Sequence, residues 1–282
     1  MAVSDTHKNS HAPKQNLNHC CYLFRHLSVM LGIYTALRKS GAIDDMTRRG
    51  IEHLHIYGID NVLTRSLDPA FIGICISNKV ECGNKVVWRT NKAEKVGVTV
   101  SVEGRMSVLE YSEIPADFSE AVDAEGKMVY GAANICNHYL TVDFLVNVVL
   151  PTLSGSYHLA TKKIPYMDPT TLQTITPTEC NGYKLELFIF DVFPLAKKWI
   201  VVEANRRDEF APVKNEPGNP VDSPDSARAM MTSQAKSWLI SAGAILNNNS
   251  TEMCEISPLL SYAGEGLEAF YGVKVDLPSY LK

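Results

Sequence analysis

Val96, Val98, Val100 and Val102 alternate with Gly97, Thr99 and Ser101, a period of two that no helix can bury on one side. The stretch is therefore a strand with one buried face. Glu103-Gly104 turns the chain into a second strand that ends at Glu110-Tyr111. A two-stranded hairpin is marginal in water, so further strands or covering helices are needed. The sequence supplies both. HLHIYGIDN (53–61) reads as a strand running into a polar tip, and WIVVEA (199–204) as another strand. Helix spacing recurs from Gly32 to Gly50, through Ile33, Ala36, Leu37, Ile43 and Met46. Asp68-Pro69 opens a helix with an acidic cap and proline at its first position. Helices are also expected over 141–150, over 157–163 and from Pro224 to about Ser241. The strongest expected helix is 184–198, where Leu185, Phe188, Ile189, Val192, Phe193 and Ala196 form one apolar stripe. Alternating strands and helices point to an α/β protein with a mixed sheet. No internal repeat is found.

The first 20 or so residues are polar and aperiodic, and disorder is expected there. NEPGNPVDSPDS (215–226) is a loop that marks a candidate domain boundary. At 45% hydrophobic residues, the 282-residue chain can bury a core of its own. A net charge of −4 argues against a protein held to nucleic acid by phosphate contacts. The apolar run from Cys20 to Leu37 is interrupted by Arg25 and His26, too short and polar to span a bilayer. Seven scattered cysteines without a CxxC pair suit reduced thiols in a cytoplasmic protein.

Several residues carry possible chemistry. Asp60 follows an apolar strand, where ligands of open α/β sheets bind, and a carboxylate there suits Mg²⁺ held against phosphates. The plainer reading is an Asp-Asn turn. Lys162, Lys163 and Lys214 are cationic candidates for phosphate, and the Phe210 and Pro212 neighbours of Lys214 suggest a packed loop. Glu110 and Asn134 offer an acceptor and an amide for sugar hydroxyls or an N-acetyl group; a hairpin end and a turn are the plainer readings. Phe188 lies on the apolar stripe, while Phe190 is off it and available to a ligand pocket. His53 and His55 share a strand face, with packing or surface roles favoured over zinc. No cysteine has a nucleophile signature, and neither GxSxG nor a P-loop occurs.

IYGIDN (56–61), DPAFIG (68–73), EKVGV (94–98), LEYSEI (109–114), KKIP (162–165), KLELFIFDVF (184–193), DEFAPVKN (208–215), DSPDSAR (222–228) and EISPLLSYAGEGLEA (255–269) together resemble the eukaryotic UDP-N-acetylglucosamine pyrophosphorylase family. The resemblance runs from about Leu31 to about Ala269. It implies a Rossmann-like, GT-A-like nucleotidyltransferase domain over 31–215 and a small C-terminal domain over 216–282, after an unrelated leader at 1–30. It implies the reaction of UTP with N-acetylglucosamine 1-phosphate to give UDP-N-acetylglucosamine and diphosphate, with Mg²⁺. By resemblance, Asp60 contacts the nucleotide and its Mg²⁺, and Lys214 contacts phosphate. Gly97, Glu110, Tyr111 and Asn134 line the sugar site, which Phe188 and Phe190 shape.

In the reaction so implied, a sugar-phosphate oxygen attacks the α-phosphorus of UTP and diphosphate leaves, so the protein aligns anions and neutralises charge without a nucleophile of its own. The family's LxGGxGTRLG loop does not occur in these residues, and HLSVMLG (26–32) stands where the family has a PDGNGG-like stretch. The chain is accordingly expected to be N-terminally truncated, with a short C-terminal tail and without turnover by itself. A catalytically silent sugar-nucleotide-binding or regulatory protein is the alternative, as is a pyrophosphorylase for another hexose 1-phosphate.

Overall fold

The computed structural model describes residues 29–111, 113–153, 158–247 and 252–282. The expected leader lies, up to residue 28, outside them. The described residues fall into two compact units, 158–186 and all the rest.

The larger unit opens with α1 (Val29–Lys39) and α2 (Ala42–Arg48). One continuous helix was expected here. The chain instead breaks at Gly41, whose φ of 77° lies in the left-handed region open to glycine. Next come β1 (His53–Tyr57), α3 (Pro69–Ser77), β2 (Cys82–Trp88), the hairpin β3 (Val98–Val102) and β4 (Arg105–Leu109), α4 (Ala116–Glu120) and β5 (Ala132–Thr141). The helical run after β5 is α5 (Val142–Phe144), a π turn (Leu145–Val149) and α6 (Leu150–Thr152). It meets the helix expected over 141–150.

Asp68 caps α3 as its sequence indicates, accepting from the amides of Ala70 (2.9 Å) and Phe71 (3.3 Å). Such a cap contributes roughly 1 kcal/mol.

In the smaller unit, β6 (His158–Lys162) pairs antiparallel with β9 (Gly182–Glu186), and β7 (Tyr166–Met167) with β8 (Thr174–Ile175). The helix expected over 157–163 is therefore a strand over its described part. Seven residues are too few to hold a helix alone, and β9 satisfies the backbone groups instead.

The helix expected over 184–198 is also corrected. Residues to Glu186 belong to β9, with Leu185 exposed, and Ile189–Leu195 in the larger unit is a 3₁₀ helix. Pro194 lacks the N–H that an α-helix needs. The spacing of Ile189, Val192, Phe193 and Ala196 still buries all four, because a 3₁₀ helix repeats every three residues.

The larger unit continues through β10 (Trp199–Glu203), α7 (Arg206–Glu209) and α8 (Pro224–Ser241), the last capped by Ser223. Its sheet runs β10-β2-β5-β3-β4, and β1 also pairs with β5. β10 is parallel to β2 and the other pairs are antiparallel, so the sheet is mixed. Adjacent residues of β5 face opposite ways. Leu140 joins Tyr34, Met106, Phe144, Phe190 and Phe193, while Tyr139 joins Phe71 and Cys75. At the C-terminus β11 (Ile245–Leu246) pairs with β13 (Lys274–Val275), and β12 (Cys254–Ile256) with β14 (Ser279–Leu281). Leu239 of α8, Cys254, Ile256, Leu267 and Val275 form a core of their own there. Among the described residues no helix is long and apolar enough to cross a membrane.

Candidate active site

The site begins where β1 leaves the sheet. β5 bulges there: Asn84 opposes His138, but Val86, two residues on, opposes Asn134. The surplus residues of β5 include Cys136, at φ 53°, whose carbonyl accepts from the Gly58 amide (2.9 Å). Above it the chain turns through Gly58, Ile59 and Asp60. A Cβ on Gly58 would lie 2.7 Å from Asp60 Oδ1, so glycine lets the carboxylate fold back. Asp60 is exposed, and its carboxylate has no hydrogen-bond or ion-pair partner among the described residues.

The loop that follows α7 lies alongside this turn. Asn61 forms a β-bridge with Pro212, and the Val213 amide donates to the Asp60 carbonyl (2.9 Å). The next residue is the exposed Lys214, its amide held by the Asp222 carbonyl (2.7 Å). Asp60 and Lys214 are thus brought onto adjoining loops. Both act on the Cys136 thiol. Burial pushes that thiol up and the Asp60 charge adds to the effect; the Gly58 amide and Lys214 oppose it, leaving a pKa of about 11.

A second cluster forms across β3, β4 and β5. The Asn134 amide donates to the Gly97 carbonyl (2.8 Å). A Cβ on Gly97 would stand 3.1 Å from Glu110 Oε1, 3.1 Å from Val108 Cγ1 and 3.3 Å from the Leu109 carbonyl. Gly97, Glu110 and Asn134 are therefore neighbours. The side-chain carbonyl of Asn134 is buried and accepts no hydrogen bond among the described residues. An unmet buried acceptor costs about 1–3 kcal/mol, which a ligand N–H or O–H would recover. The Glu113 and Ile114 amides turn back onto the Glu110 carbonyl (2.8 and 3.2 Å), carrying Tyr111 outward to an exposed position. Replacing Gly97 with alanine is expected to cost about 1–3 kcal/mol, because the Leu109 backbone cannot yield as a side chain would. A melting temperature equal to that of the wild type would refute the close approach.

Phe188 and Phe190 stack, with ring centroids 4.9 Å apart and planes at 13°. Their expected roles in packing are exchanged. Phe190 is buried in the main core, and Phe188 is only half-buried beside it, because the segment is a 3₁₀ helix with a different phase. That core includes Val108, the same side chain that closes on Gly97. Lys162 and Lys163 belong to the smaller unit and are exposed.

Sequence reasoning missed a buried ionic cluster. Lys85 of β2, 2% exposed, pairs with the Asp68 carboxylate and with Glu209 of α7 (2.5 Å), and Arg65 lies 3.8 Å from Glu209. The usable signal was the polar pair Asn84-Lys85 inside the otherwise apolar CGNKVVW. His53 and His55 are hydrogen-bonded to Tyr139 (2.8 Å) and Asn137 (2.7 Å), in line with packing. No group of three His, Cys, Asp or Glu among the described residues could cage a metal.

A family model described as UTP–glucose-1-phosphate uridylyltransferase matches residues 31–267. The chain is 41% identical over 267 residues to the UDP-N-acetylhexosamine pyrophosphorylase-like protein 1 of Xenopus tropicalis, covering 88% of this chain and 52% of the relative. It is 41% identical over 249 residues to the UDP-N-acetylglucosamine pyrophosphorylase of Saccharomyces cerevisiae, covering 87% of this chain and 52% of the relative. A crystal structure of a candidate UDP-N-acetylglucosamine pyrophosphorylase from Entamoeba histolytica superposes with a TM-score of 0.80 at 32% identity, over 89% of this chain and 62% of that one. The chain spans about half the length of these curated relatives. The resemblance carried by the motifs is borne out, and so is the mixed α/β nucleotidyltransferase fold.

Proposed function

Because the chain belongs to the UTP–glucose-1-phosphate uridylyltransferase family, we propose that its two side-chain clusters are the phosphate end and the sugar end of one uridylyltransferase site. The reaction is UTP plus N-acetylglucosamine 1-phosphate to UDP-N-acetylglucosamine plus diphosphate. The observation that carries the reading is the meeting of Asp60 with Lys214 on adjoining loops, with Gly97, Glu110 and Asn134 gathered elsewhere on the same strand β5 and its neighbours. The names of the relatives support the sugar.

Each residue has a task that its chemistry suits. Lys214 presents a compact, exposed positive charge to phosphate oxygens. The unpartnered Asp60 carboxylate fits Mg²⁺, which takes few protein ligands, keeps several waters and is completed by substrate phosphates. Bound there, Mg²⁺ would neutralise phosphate charge. The orphaned Asn134 carbonyl accepts from the N-acetyl N–H, and Glu110 accepts from sugar hydroxyls. Gly97 leaves room that a side chain would fill. Tyr111 flanks this end, and the Phe188–Phe190 pair backs it through Val108. Such a site aligns and neutralises, which is how phosphoryl-group chemistry of this kind is accelerated. We place this activity in the cytoplasm, consistent with thiols that are free among the described residues.

The test is amide hydrogen exchange with saturating ligand. UDP-N-acetylglucosamine is expected to protect residues 96–137 more than UDP-glucose does, because only the former supplies an N–H to Asn134. Equal protection, or none, would refute the sugar assignment.

A further inference from the structure

Asn61 was read from sequence as half of a turn, yet it is 5% exposed and its side chain is spent on the opposite loop. Its Nδ2 donates to the Glu209 carbonyl (2.7 Å), and its Oδ1 accepts from the amides of Ala211 (2.8 Å) and Leu63 (3.3 Å). Backbone bonds flank it on either side, from Val62 to the Ala211 carbonyl (3.3 Å) and from Val213 to the Asp60 carbonyl (2.9 Å). Between them stands Pro212, which has no N–H to give to a ladder. The Asn61 side chain makes up the bonds that a longer ladder would have made.

We propose that Asn61 is a positioning residue that fixes the Asp60 loop against the Lys214 loop. This rests on the proposed function for its consequence, but its geometry stands independently. The far side of the clamp is itself anchored, since Glu209, whose carbonyl Asn61 holds, pairs through its carboxylate with buried Lys85 and with Arg65. Asn61 thereby links a rigid ionic anchor to the residue next to it, Asp60, and through Ala211 to the approach to Lys214. The task needs a donor and an acceptor on separate atoms of one short side chain, which an amide supplies and a serine or threonine hydroxyl, with both on a single oxygen, does not. Aspartate keeps the shape but would turn a carboxylate oxygen toward the Glu209 carbonyl, replacing a bond with a repulsion.

The experiment compares wild type, Asn61→Asp and the milder Asn61→Ala in the 282-residue chain, below the unfolding transition of each. Without ligand, amides of 58–63 and 209–214 are expected to exchange at least about tenfold faster in both variants, while those of β2 and α3 keep their wild-type rates. With ligand, UDP-N-acetylglucosamine affinity in Mg²⁺ is expected to fall at least about tenfold, and by a clearly smaller factor in EDTA, where only the loosened Lys214 loop counts. Unchanged exchange in the two loops overturns the clamp. Equal weakening with and without Mg²⁺ overturns its role in positioning Asp60. If the wild-type chain binds no UDP-N-acetylglucosamine, the proposed function fails, and the exchange result still decides whether Asn61 joins the loops.

Discussion

Replacing Lys85 with methionine is expected to destabilise the fold by about 3–5 kcal/mol at neutral pH, the usual effect of removing one partner from a buried ionic cluster. Lys85 lies within the sheet, its Nζ 5.2 Å from the Phe71 ring centre and against two carboxylates, Asp68 and Glu209. Methionine fills a similar volume, so the loss is electrostatic rather than a cavity. Asp68 and Glu209 would then face each other's charge without a cation between them.

The pH dependence separates this cause from others. Burial raises the Asp68 carboxyl, but the hydrogen bond and charge of Lys85, with the Phe71 and Ala70 amides, outweigh it and hold the group below its ordinary value. In the wild type, Asp68 therefore contributes stability that is present above the unfolded carboxylate range, near pH 4, and is lost as pH falls further. Without Lys85, burial gains the upper hand and the shift is expected to reverse. Stability from Asp68 would then grow as pH falls and the carboxyl protonates. Urea unfolding at several pH values is the measurement: the deficit of Lys85→Met should be largest at pH 7 and shrink toward pH 4. A loss below about 1 kcal/mol at pH 7, the size of an exposed pair, would show that these charges are solvated.

The parts of the fold legible in the sequence are those decided by near neighbours. The alternation from Val96 to Val102, the Asp68-Pro69 start of α3 and the Ser223-Pro224 start of α8 all depend on residues a few positions apart. Residues 184–198 failed because distant partners decide them. Leu185 fits an apolar helical stripe, yet β6 pairs with it and leaves it exposed. The candidate site divides in the same way. Asp60 was visible as a carboxylate after a strand. Its company with Lys214 depends on the bridge between Asn61 and Pro212, far apart in the chain, and on a bulge in β5. Spacing alone left Glu110 and Asn134 as a hairpin end and a turn, and the family resemblance raised them. Lys85 escaped because a lone lysine is most often a solvated surface residue, whereas here the carboxylates of Asp68 and Glu209 hold it inside the sheet.

Asp60 and Lys214 give the largest expected effect on ligand binding with little effect on the fold, because both are exposed. Asp60→Asn keeps the shape and removes the charge. It is expected to abolish the Mg²⁺-dependent part of UDP-N-acetylglucosamine binding, a loss of about 3 kcal/mol or a hundredfold, and to leave binding in EDTA intact. Lys214→Ala is expected to weaken binding both with and without Mg²⁺, by about tenfold, because on the proposed reading its charge meets phosphate directly. Titration calorimetry in the two conditions separates them. Cys136 supplies a check that needs no ligand. Burial and then the Asp60 charge raise its thiol, while Lys214 lowers it. Asp60→Asn should therefore bring the thiol pKa down from about 11, and Lys214→Ala should send it up, so alkylation rates at alkaline pH should move in opposite directions. Opposite shifts without any loss of Mg²⁺-dependent binding would keep the geometry and remove Asp60 from the metal site. Shifts of the same sign would show that the two loops do not meet over β5 as described.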